Sequence, residues 1–281
     1  MTKPCRPRKL DTHFRVCEVY GGCVAKSKGL LVSLWNSLIC SGILAKNLTD
    51  QHKMSKDVPY YFRHLNTRLF DSLPAGMERV LEFGCSAGML GKAYKEKNPD
   101  TVWHGVEINQ DAADRAQQNL DAAWVLNAND LQPNETMLAT PYDAIIYGDV
   151  IEHLIDPAQS MPKHLELLKH GGELIACIPN VQHWTVVKDL LQGNWDYRNA
   201  GLMDNTHLRF FTRKSIHKLL KKLGLKLVEQ QRFSHENQAF AKRAAEKDEI
   251  LDVLRLANQS LGVEFNELDF RTFQYMVRAK K

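Results

Sequence analysis

The sequence has few of the features that mark a disulfide-rich, membrane or disordered protein. It contains six Cys in 281 residues and no C-x-x-C pair, so neither a disulfide scaffold nor a zinc site is expected. Its most apolar run, residues 29–45, has 17 residues interrupted by Ser and Asn, which is short for a membrane span of about 20 residues. A hydrophobic content of 44% excludes a disordered or collagenous chain. We therefore expect a globular protein with free thiols and a cytoplasmic location.

Excess positive charge is confined to the first fifth of the chain. Residues 1–53 carry 9 Lys+Arg and 3 Asp+Glu, a net charge of +6, whereas the remaining residues carry 28 and 30, a net charge of −2. We interpret 1–53 as an N-terminal extension and 54–281 as the main domain. The extension could be an amphipathic helix, an organelle-targeting segment or a translated region upstream of a natural start at Met54, which we favour. The main domain gives no charge argument for nucleic acid or an anionic membrane.

Short strand patterns alternate with helical patterns after Met54. The predicted strands are Arg79–Phe83, Val102–Ile108, Ala123–Leu126, Tyr142–Tyr147, Glu173–Ile178, Leu225–Glu229 and Thr272–Ala279. The predicted helices are one ending near Leu73, then Met89–Lys97, Gln110–Asp121, Pro157–Lys169, His183–Leu191 and Arg213–Leu223. This alternation predicts an α/β fold, a doubly wound and mostly parallel seven-stranded sheet. Residues 232–270 form a charged, helical insertion before the last strand, which need not be parallel.

A glycine-rich segment from Glu82 to Gly91 (EFGCSAGMLG) lies at the first strand-to-helix junction. Open α/β sheets bind ligands at this position, where glycines let the backbone approach the ligand. Glu107 ends the next strand, and a carboxylate there suits a ribose diol. A nicotinamide dinucleotide would require G-x-G-x-x-G, but Ser86 occupies the position of the first glycine.

The spacing E-x-G-x-S-x-G resembles motif I of class I S-adenosylmethionine-dependent methyltransferases, with Ser86 replacing the middle glycine. The segment from Asn129 to Leu131 (NDL) resembles the adenine-binding G-D-L segment of that family. The segment from Gly148 to Pro157 (GDVIEHLIDP) resembles D-V-L-E-H-L-x-D-P of small-molecule methyltransferases. GNWDY from Gly193 and DNTHLRFFTR from Asp204 resemble a block of bacterial methyltransferases often encoded beside glycosyltransferases. The resemblance covers residues 54–229 and the last strand.

This resemblance implies a Rossmann-like methyltransferase with S-adenosylmethionine as cofactor. Gly84, Ser86 and Gly88 would cradle the methionine portion, Glu107 would bind the ribose and Asp130 the adenine. The full set of implied cofactor-binding residues is Glu82, Gly84, Cys85, Ser86, Gly88, Glu107, Ile108, Asn129, Asp130, Leu131 and Asp149.

Asp149, Glu152 and His153 are spaced i, i+3 and i+4, so they would share one face of a helical turn. In one interpretation His153 is the general base for methyl transfer. In a second, a divalent metal is bound, as the similarity to ubiquinone-pathway O-methyltransferases and plant-type small-RNA 2'-O-methyltransferases implies. Its ligands would be Asp149, Glu152, His153 and His207. In a third, Glu152 and His153 only pack the loop. His183 and His207 are further candidate bases, and surface positions are expected for other histidines, His164 among them.

The methyl acceptor is expected to be a small molecule or glycan that offers an oxygen or nitrogen nucleophile. Aromatic residues after the fifth strand, including Trp184, Trp195 and Tyr197, could line its pocket or belong to the core. An RNA 2'-O-methyltransferase is an alternative against which the −2 charge argues. A non-catalytic cofactor-binding scaffold and a nicotinamide-linked oxidoreductase are the remaining alternatives.

Overall fold

The structure is a computed structural model that describes residues 65–234, 244–262 and 265–281. The predicted N-terminal extension and its boundary at Met54 lie outside these residues and stay predictions. Of the helix predicted to end near Leu73, the part before residue 65 also lies outside them, and the described part begins at Thr67. No helix among the described residues is long and apolar enough to cross a membrane.

The described residues form one seven-stranded sheet. Its order is β3-β2-β1-β4-β5-β7-β6, and β7 runs antiparallel to both of its neighbours while the other pairs are parallel. The doubly wound α/β prediction is therefore confirmed, including a last strand that differs in direction. The strands are β1 Arg79–Phe83, β2 Val102–Glu107, β3 Ala122–Val125, β4 Tyr142–Gly148, β5 Leu168–Pro179, β6 Lys226–Phe233 and β7 Gln274–Lys280.

Helices connect the strands. They are α1 Thr67–Asp71, α2 Met89–Lys97, α3 Gln110–Ala116, α4 Glu135–Leu138, α5 Pro157–Glu166, α6 Trp184–Leu191, α7 Arg213–Lys222, α8 Ala244–Leu261 and α9 Glu267–Arg271. Short 3-10 turns cover Ala128–Asp130 and Ile151–His153. The charged insertion is helical as predicted where it is described, but β6 extends four residues beyond its predicted end at Glu229, because residues up to Phe233 pair with β7.

Three other predicted boundaries were wrong. The helix predicted to reach Asp121 ends at Ala116, and the Asp121 carboxylate instead accepts a hydrogen bond from the backbone amide of Trp103 at 2.7 Å. Strand β5 begins at Leu168 rather than Glu173, because Leu168 pairs with Tyr142 before a register shift in β4. The preceding helix accordingly ends at Glu166 rather than Lys169.

Apolar side chains cover both faces of the sheet. Strands β1 and β4 are buried almost throughout, and β5 is buried from Leu174 to Ile178, as expected for central strands between helical layers. His164 corrects the prediction that it is a surface residue: it is fully buried, its Nδ1 lies 2.9 Å from the Tyr147 hydroxyl and its ring stacks on Phe83. Because β1, β2 and β4 are parallel neighbours, their carboxyl ends share one edge, where the predicted site residues are found.

Candidate active site

The glycine loop after β1 adopts the left-handed backbone conformations that its motif requires. Gly84 has φ 67°, Ser86 φ 52° and Gly88 φ 77°. A positive φ is unfavourable for residues with a Cβ, which explains why glycine is usual at the position of Ser86. A Cβ added to Gly84 would lie 2.5 Å from Cγ2 of Val150, so a larger residue would push the loop away from the segment after β4.

Two of the predicted cofactor residues have packing roles in the structure. A Cβ at Gly88 would lie 2.9 Å from Cγ of Leu120, so this glycine allows the loop to approach the end of the α3 region. The Cys85 side chain is buried and fills the space above Gly105, where a Cβ would lie 2.4 Å from its Sγ. Burial raises the pKa of the Cys85 thiol well above its usual value. Cys85 can therefore contribute to a cofactor site mainly through its backbone.

Carboxyl groups flank the loop at the ends of β1 and β2. Glu82 is buried, and its Oε2 accepts a hydrogen bond from Nε1 of Trp103 at 2.9 Å. Burial raises the pKa of Glu82 to about 8, against the opposing effect of the Trp103 bond, and the nearby Glu107 adds to the rise. The glycine-rich motif that contains Glu82 does not predict this hydrogen bond from Trp103.

Glu107 is bound by backbone amides of the glycine loop and of the residues that follow β2. Its carboxylate accepts hydrogen bonds from the amides of Ser86 at 2.9 Å, Ile108 at 2.8 Å and Asn109 at 2.9 Å. A carboxylate has about four acceptor positions, so one is left for a ligand hydroxyl. The Ile108 side chain beside it is 69% exposed, which leaves an apolar surface available to a flat ligand ring.

The segment after β3 presents one acidic group to solvent. Asn129 Oδ1 accepts a hydrogen bond from the backbone amide of Ile155 at 2.7 Å, which joins this segment to the one after β4. Asp130 is exposed, whereas Leu131 is buried in the core. Asp130 Oδ1 accepts a hydrogen bond from Gln132 Nε2 at 3.1 Å and lies 3.7 Å from Lys163 Nζ, so its Oδ2 is the oxygen that can meet a ligand. Leu131 can do so only through its backbone.

Asp149 follows β4 with φ 57°, so its backbone is not helical and it precedes the 3-10 turn. The prediction that Asp149 shares a helical face with Glu152 and His153 was therefore wrong. Its Oδ1 accepts a hydrogen bond from Gln274 Nε2, and its Oδ2 lies 3.5 Å from Nδ2 of Asn66. Burial raises the pKa of Asp149 to about 6. Gln274 lies 125 residues away along the chain, and no sequence signal pointed to it.

Glu152, His153 and His207 form a compact cluster. Each offers one potential ligand atom, and these atoms all lie within 4.8 Å of one another. The His153 and His207 ring centroids are 4.9 Å apart, and Nε2 of His207 lies 4.0 Å from Oε1 of Glu152. The structure therefore brings together three of the four predicted metal ligands, while the Asp149 oxygens are held by other residues.

Both histidines of the cluster are oriented through Nδ1. His153 Nδ1 lies 3.1 Å from the Thr206 carbonyl oxygen, and His207 Nδ1 lies 3.2 Å from the Leu202 carbonyl oxygen. A carbonyl oxygen only accepts, so Nδ1 must carry the proton in each bond. In the neutral rings Nε2 then has a free lone pair, which can take a proton or bind a metal.

Glu152 is the most unusual member of the cluster. It is 1% exposed, and neither carboxylate oxygen has a hydrogen-bond partner among the described residues. Burial, with the neighbouring Asp149, raises the pKa of Glu152 well above its usual value. Burial, with the neighbouring His153, lowers the pKa of His207. A buried carboxyl group without a partner is unfavourable, so the cluster is suited to a proton or a cation.

Backbone contacts place His207 against the turn after β4. The amides of Leu208 and Arg209 both donate to the Glu152 carbonyl oxygen at 2.9 Å. Asp204 Oδ1 accepts from the amide and the hydroxyl of Thr206, at 2.8 and 2.6 Å, which fixes the turn just before His207.

His183, the remaining candidate base, caps a helix instead of joining the cluster. It is the N-cap residue of α6, it is buried, and its Nδ1 lies 2.9 Å from the hydroxyl oxygen of Thr185. These contacts account for the side chain structurally.

A family model described as a methyltransferase domain matches residues 54–230. A ubiquinone biosynthesis O-methyltransferase of Cereibacter sphaeroides is 23% identical over 159 residues, which cover 56% of this chain and 64% of that protein. A tRNA 5-carboxymethoxyuridine methyltransferase of Escherichia coli is 26% identical over 129 residues, which cover 44% of this chain and 48% of that protein. The chain thus spans less than two thirds of the length of each of these relatives.

A solved structure shares the fold. A SAM-dependent methyltransferase from Archaeoglobus fulgidus matches with a TM-score of 0.50 and 19% identity, over 79% of this chain and 100% of that one. The loop geometry also fits the cofactor, because Gly84 and Gly88 place no Cβ in the loop and the Glu107 carboxylate keeps one acceptor position for a ribose hydroxyl. The family match, which spans the glycine loop and the Glu152 cluster, decides against an oxidoreductase: the chain belongs to the methyltransferase domain family.

Proposed function

We propose that this protein is an enzyme that transfers the methyl group of S-adenosylmethionine to a hydroxyl oxygen of a small molecule. In this proposal the Glu152 cluster, which consists of Glu152, His153 and His207, promotes removal of the proton from that oxygen. The observation that carries the proposal is the position of Glu152, His153 and His207 within 4.8 Å of one another on the segments that follow the cofactor-binding strands. Bound S-adenosylmethionine would supply an electrophilic methyl group on a sulfonium. The acceptor oxygen would bond to the methyl carbon as the carbon–sulfur bond breaks, and its proton would pass to the cluster.

Glu107 and the glycine loop would hold the cofactor on the other side of the site. The loop is already ordered by the bond between Glu107 and the Ser86 amide, so little rearrangement is needed when the cofactor binds. Holding two reactants in line is worth roughly 7 to 11 kcal/mol in favourable cases, and a general base contributes about 10² to 10⁴ in rate.

We further propose that the cluster holds a divalent cation. The cation would be held by a Glu152 oxygen and by Nε2 of His153 and His207, and it would lower the pKa of an acceptor hydroxyl. In this form of the proposal the ligand atoms are occupied, so the proton of that hydroxyl would pass to solvent and not to the cluster. A bound cation would give the buried Glu152 carboxylate a partner. A histidine that acts alone as a base would not explain why this carboxylate is buried without a hydrogen bond. Metal-bound histidines usually donate their second ring N–H to a carbonyl or carboxylate, as both of these rings do. Asp149 is not required as a ligand.

The first test is binding of the demethylated product, S-adenosylhomocysteine, measured by calorimetry. Wild type should bind it, and Gly84→Arg and Glu107→Ala should bind it much more weakly. Undiminished binding by both variants would contradict the assignment of the cofactor site.

The second test is transfer of labelled methyl groups to cell extract fractionated into small metabolites, glycans and RNA, with and without chelator. We expect label in the small-metabolite fraction, loss of transfer in chelator and recovery with Mg²⁺ or Mn²⁺. Glu152→Gln should reduce transfer by at least about 10-fold, whereas Glu166→Gln, which changes an exposed carboxyl on α5, should not. Methyl transfer that is unaffected by chelator and by Glu152→Gln would instead support His153 or His207 as a base that acts without a metal. Label in the RNA fraction would support the alternative of an RNA 2'-O-methyltransferase.

A further inference from the structure

The segment 193–198, which follows α6, carries two aromatic side chains that the fold does not bury. Trp195 is 43% exposed and Tyr197 is 53% exposed, although aromatic side chains of this size are usually covered. Both rings contact Phe210, which packs against a small buried cluster of Val186, Leu202 and Met203.

Phe210 connects these rings to the Glu152 cluster. The Trp195 ring meets Phe210 edge-on with centroids 5.5 Å apart, and the Tyr197 ring lies 6.2 Å from it. On its other side the Phe210 ring lies 6.3 Å from that of His207, again edge-on. The exposed rings are therefore one aromatic contact removed from the cluster.

The charges around the rings disfavour a polyanion. Lys188 is paired with Glu246 at 2.5 Å, and Arg198 is paired with Asp189 at 2.8 Å. Asp196 separates the two aromatic residues in the sequence. Arg209 donates to the Leu208 carbonyl oxygen at 2.9 Å. Two nearby cations are thus already neutralised, and a phosphate chain would meet carboxylates beside the rings.

We infer that Trp195 and Tyr197 are specificity-determining residues that select an uncharged, planar aryl acceptor by stacking on its ring. The inference rests on the proposed function, because it assumes that the nearby cluster prepares the acceptor oxygen. A flat ring stacked on Trp195 would extend its hydroxyl group toward the histidines, whereas a saturated ring with the same hydroxyl groups would lose the stacking contact.

The test uses tert-butylcatechol and its ring-saturated cyclohexanediol analogue as acceptors, with labelled S-adenosylmethionine and added Mg²⁺. We expect transfer to the catechol with a lower KM than to the cyclohexanediol. Trp195→Ala should raise the KM for the catechol about 2- to 10-fold, and Trp195→Phe should recover most of the loss. The Kd for S-adenosylhomocysteine should be unchanged in both variants.

Leu138→Ala is the matched control, because Leu138 is an exposed apolar residue on α4 that precedes β4 and lies away from its carboxyl end. Equal KM values for the two acceptors, or no effect of Trp195→Ala, would overturn the aryl assignment. Transfer to sugars or RNA but not to the catechol would also overturn it while leaving methyl transfer intact. Failure of wild type to bind S-adenosylhomocysteine would contradict the cofactor site itself, so the two failures are distinguishable.

Discussion

Glu82 is a carboxyl group that the folded protein holds mainly in its protonated form near neutral pH. Burial raises its pKa from 4.5 to about 8, and each pKa unit corresponds to about 1.4 kcal/mol. The folded state therefore binds more protons than the unfolded state between these pH values, so stability falls as pH rises through that window.

We expect Glu82→Gln to remove this pH dependence. The amide oxygen can still accept the Trp103 hydrogen bond, and no charge has to be buried at high pH. Denaturant unfolding at pH 5 and pH 8.5 should show a loss of stability in wild type that is smaller in Glu82→Gln, while the part due to Asp149 and Glu152, whose pKa values burial also raises, remains. Glu78→Gln, at an exposed position, should behave as wild type does, and an equal loss in Glu82→Gln would refute the assignment.

Ser86 holds a backbone conformation that disfavours side chains, with φ 52°. Replacing it with glycine removes that strain but increases the freedom of the unfolded chain. Ser86→Gly should therefore change the unfolding free energy by no more than about 1 kcal/mol and keep S-adenosylhomocysteine binding. Ser86→Val should lower the unfolding free energy by at least about 1 kcal/mol, because a β-branched residue tolerates positive φ poorly.

Ser260→Val provides the comparison, since Ser260 is an exposed residue within α8. Thermal unfolding measures the unfolding free energy of Ser86→Gly, Ser86→Val and Ser260→Val, and calorimetry measures their affinity for S-adenosylhomocysteine. An unaffected Ser86→Val protein would mean that the loop does not hold this conformation in solution.

At the scale of elements, the turn from Asp204 to His207 carries a predicted site residue to the Glu152 cluster. The Leu208 and Arg209 amides, which follow His207, donate to the Glu152 carbonyl oxygen and hold this segment against the turn after β4. Asp204→Ala would remove the two bonds to Thr206 and loosen the turn from Asp204 to His207. We expect kcat to fall several-fold, with S-adenosylhomocysteine affinity unchanged and the unfolding free energy lowered by about 1 kcal/mol.

Asn205→Ala changes the neighbouring exposed residue of the same turn and should leave kcat near the wild-type value. Steady-state kinetics and calorimetry distinguish the two outcomes. A fall in cofactor affinity without a change in kcat would place the turn in the cofactor site instead.

The sheet and the glycine loop could be predicted because their signals are local. Strand–helix alternation and the spacing of the glycines lie within short windows. His164 could also have been found, since Pro157, Ser160, Met161 and His164 share the i, i+3, i+4, i+7 spacing of a buried helix face.

Contacts between segments that are distant in the sequence could not be predicted. The bond between Gln274 and Asp149 joins two strand ends whose proximity depends on β7 entering the sheet beside β5. The failure of the Asp149 interpretation has the same origin, because the spacing i, i+3, i+4 indicates a shared face only if the backbone is helical at that residue. The positive φ of Asp149 could not be read from the sequence.

At the scale of the whole molecule, the charge is divided between two parts of the chain. The +6 charge of residues 1–53 has no counterpart in the rest, which carries −2. Removing residues 1–53 should leave S-adenosylhomocysteine affinity and the unfolding midpoint unchanged, because the site is built from later residues. The same deletion should weaken retention on heparin at low salt. Loss of folding after the deletion would overturn the division at Met54.

Strand β7 is the last strand in chain order but an inner strand of the sheet, between β5 and β6. During synthesis, the other six strands of this sheet emerge before β7 does. Until residues 274–280 leave the ribosome, one edge of β5 is exposed and β6, which pairs with β7 alone, has no partner strand. Open strand edges invite pairing with other chains. A nascent or prematurely terminated chain of this enzyme is therefore a natural client for chaperones, even though its cofactor loop is already complete.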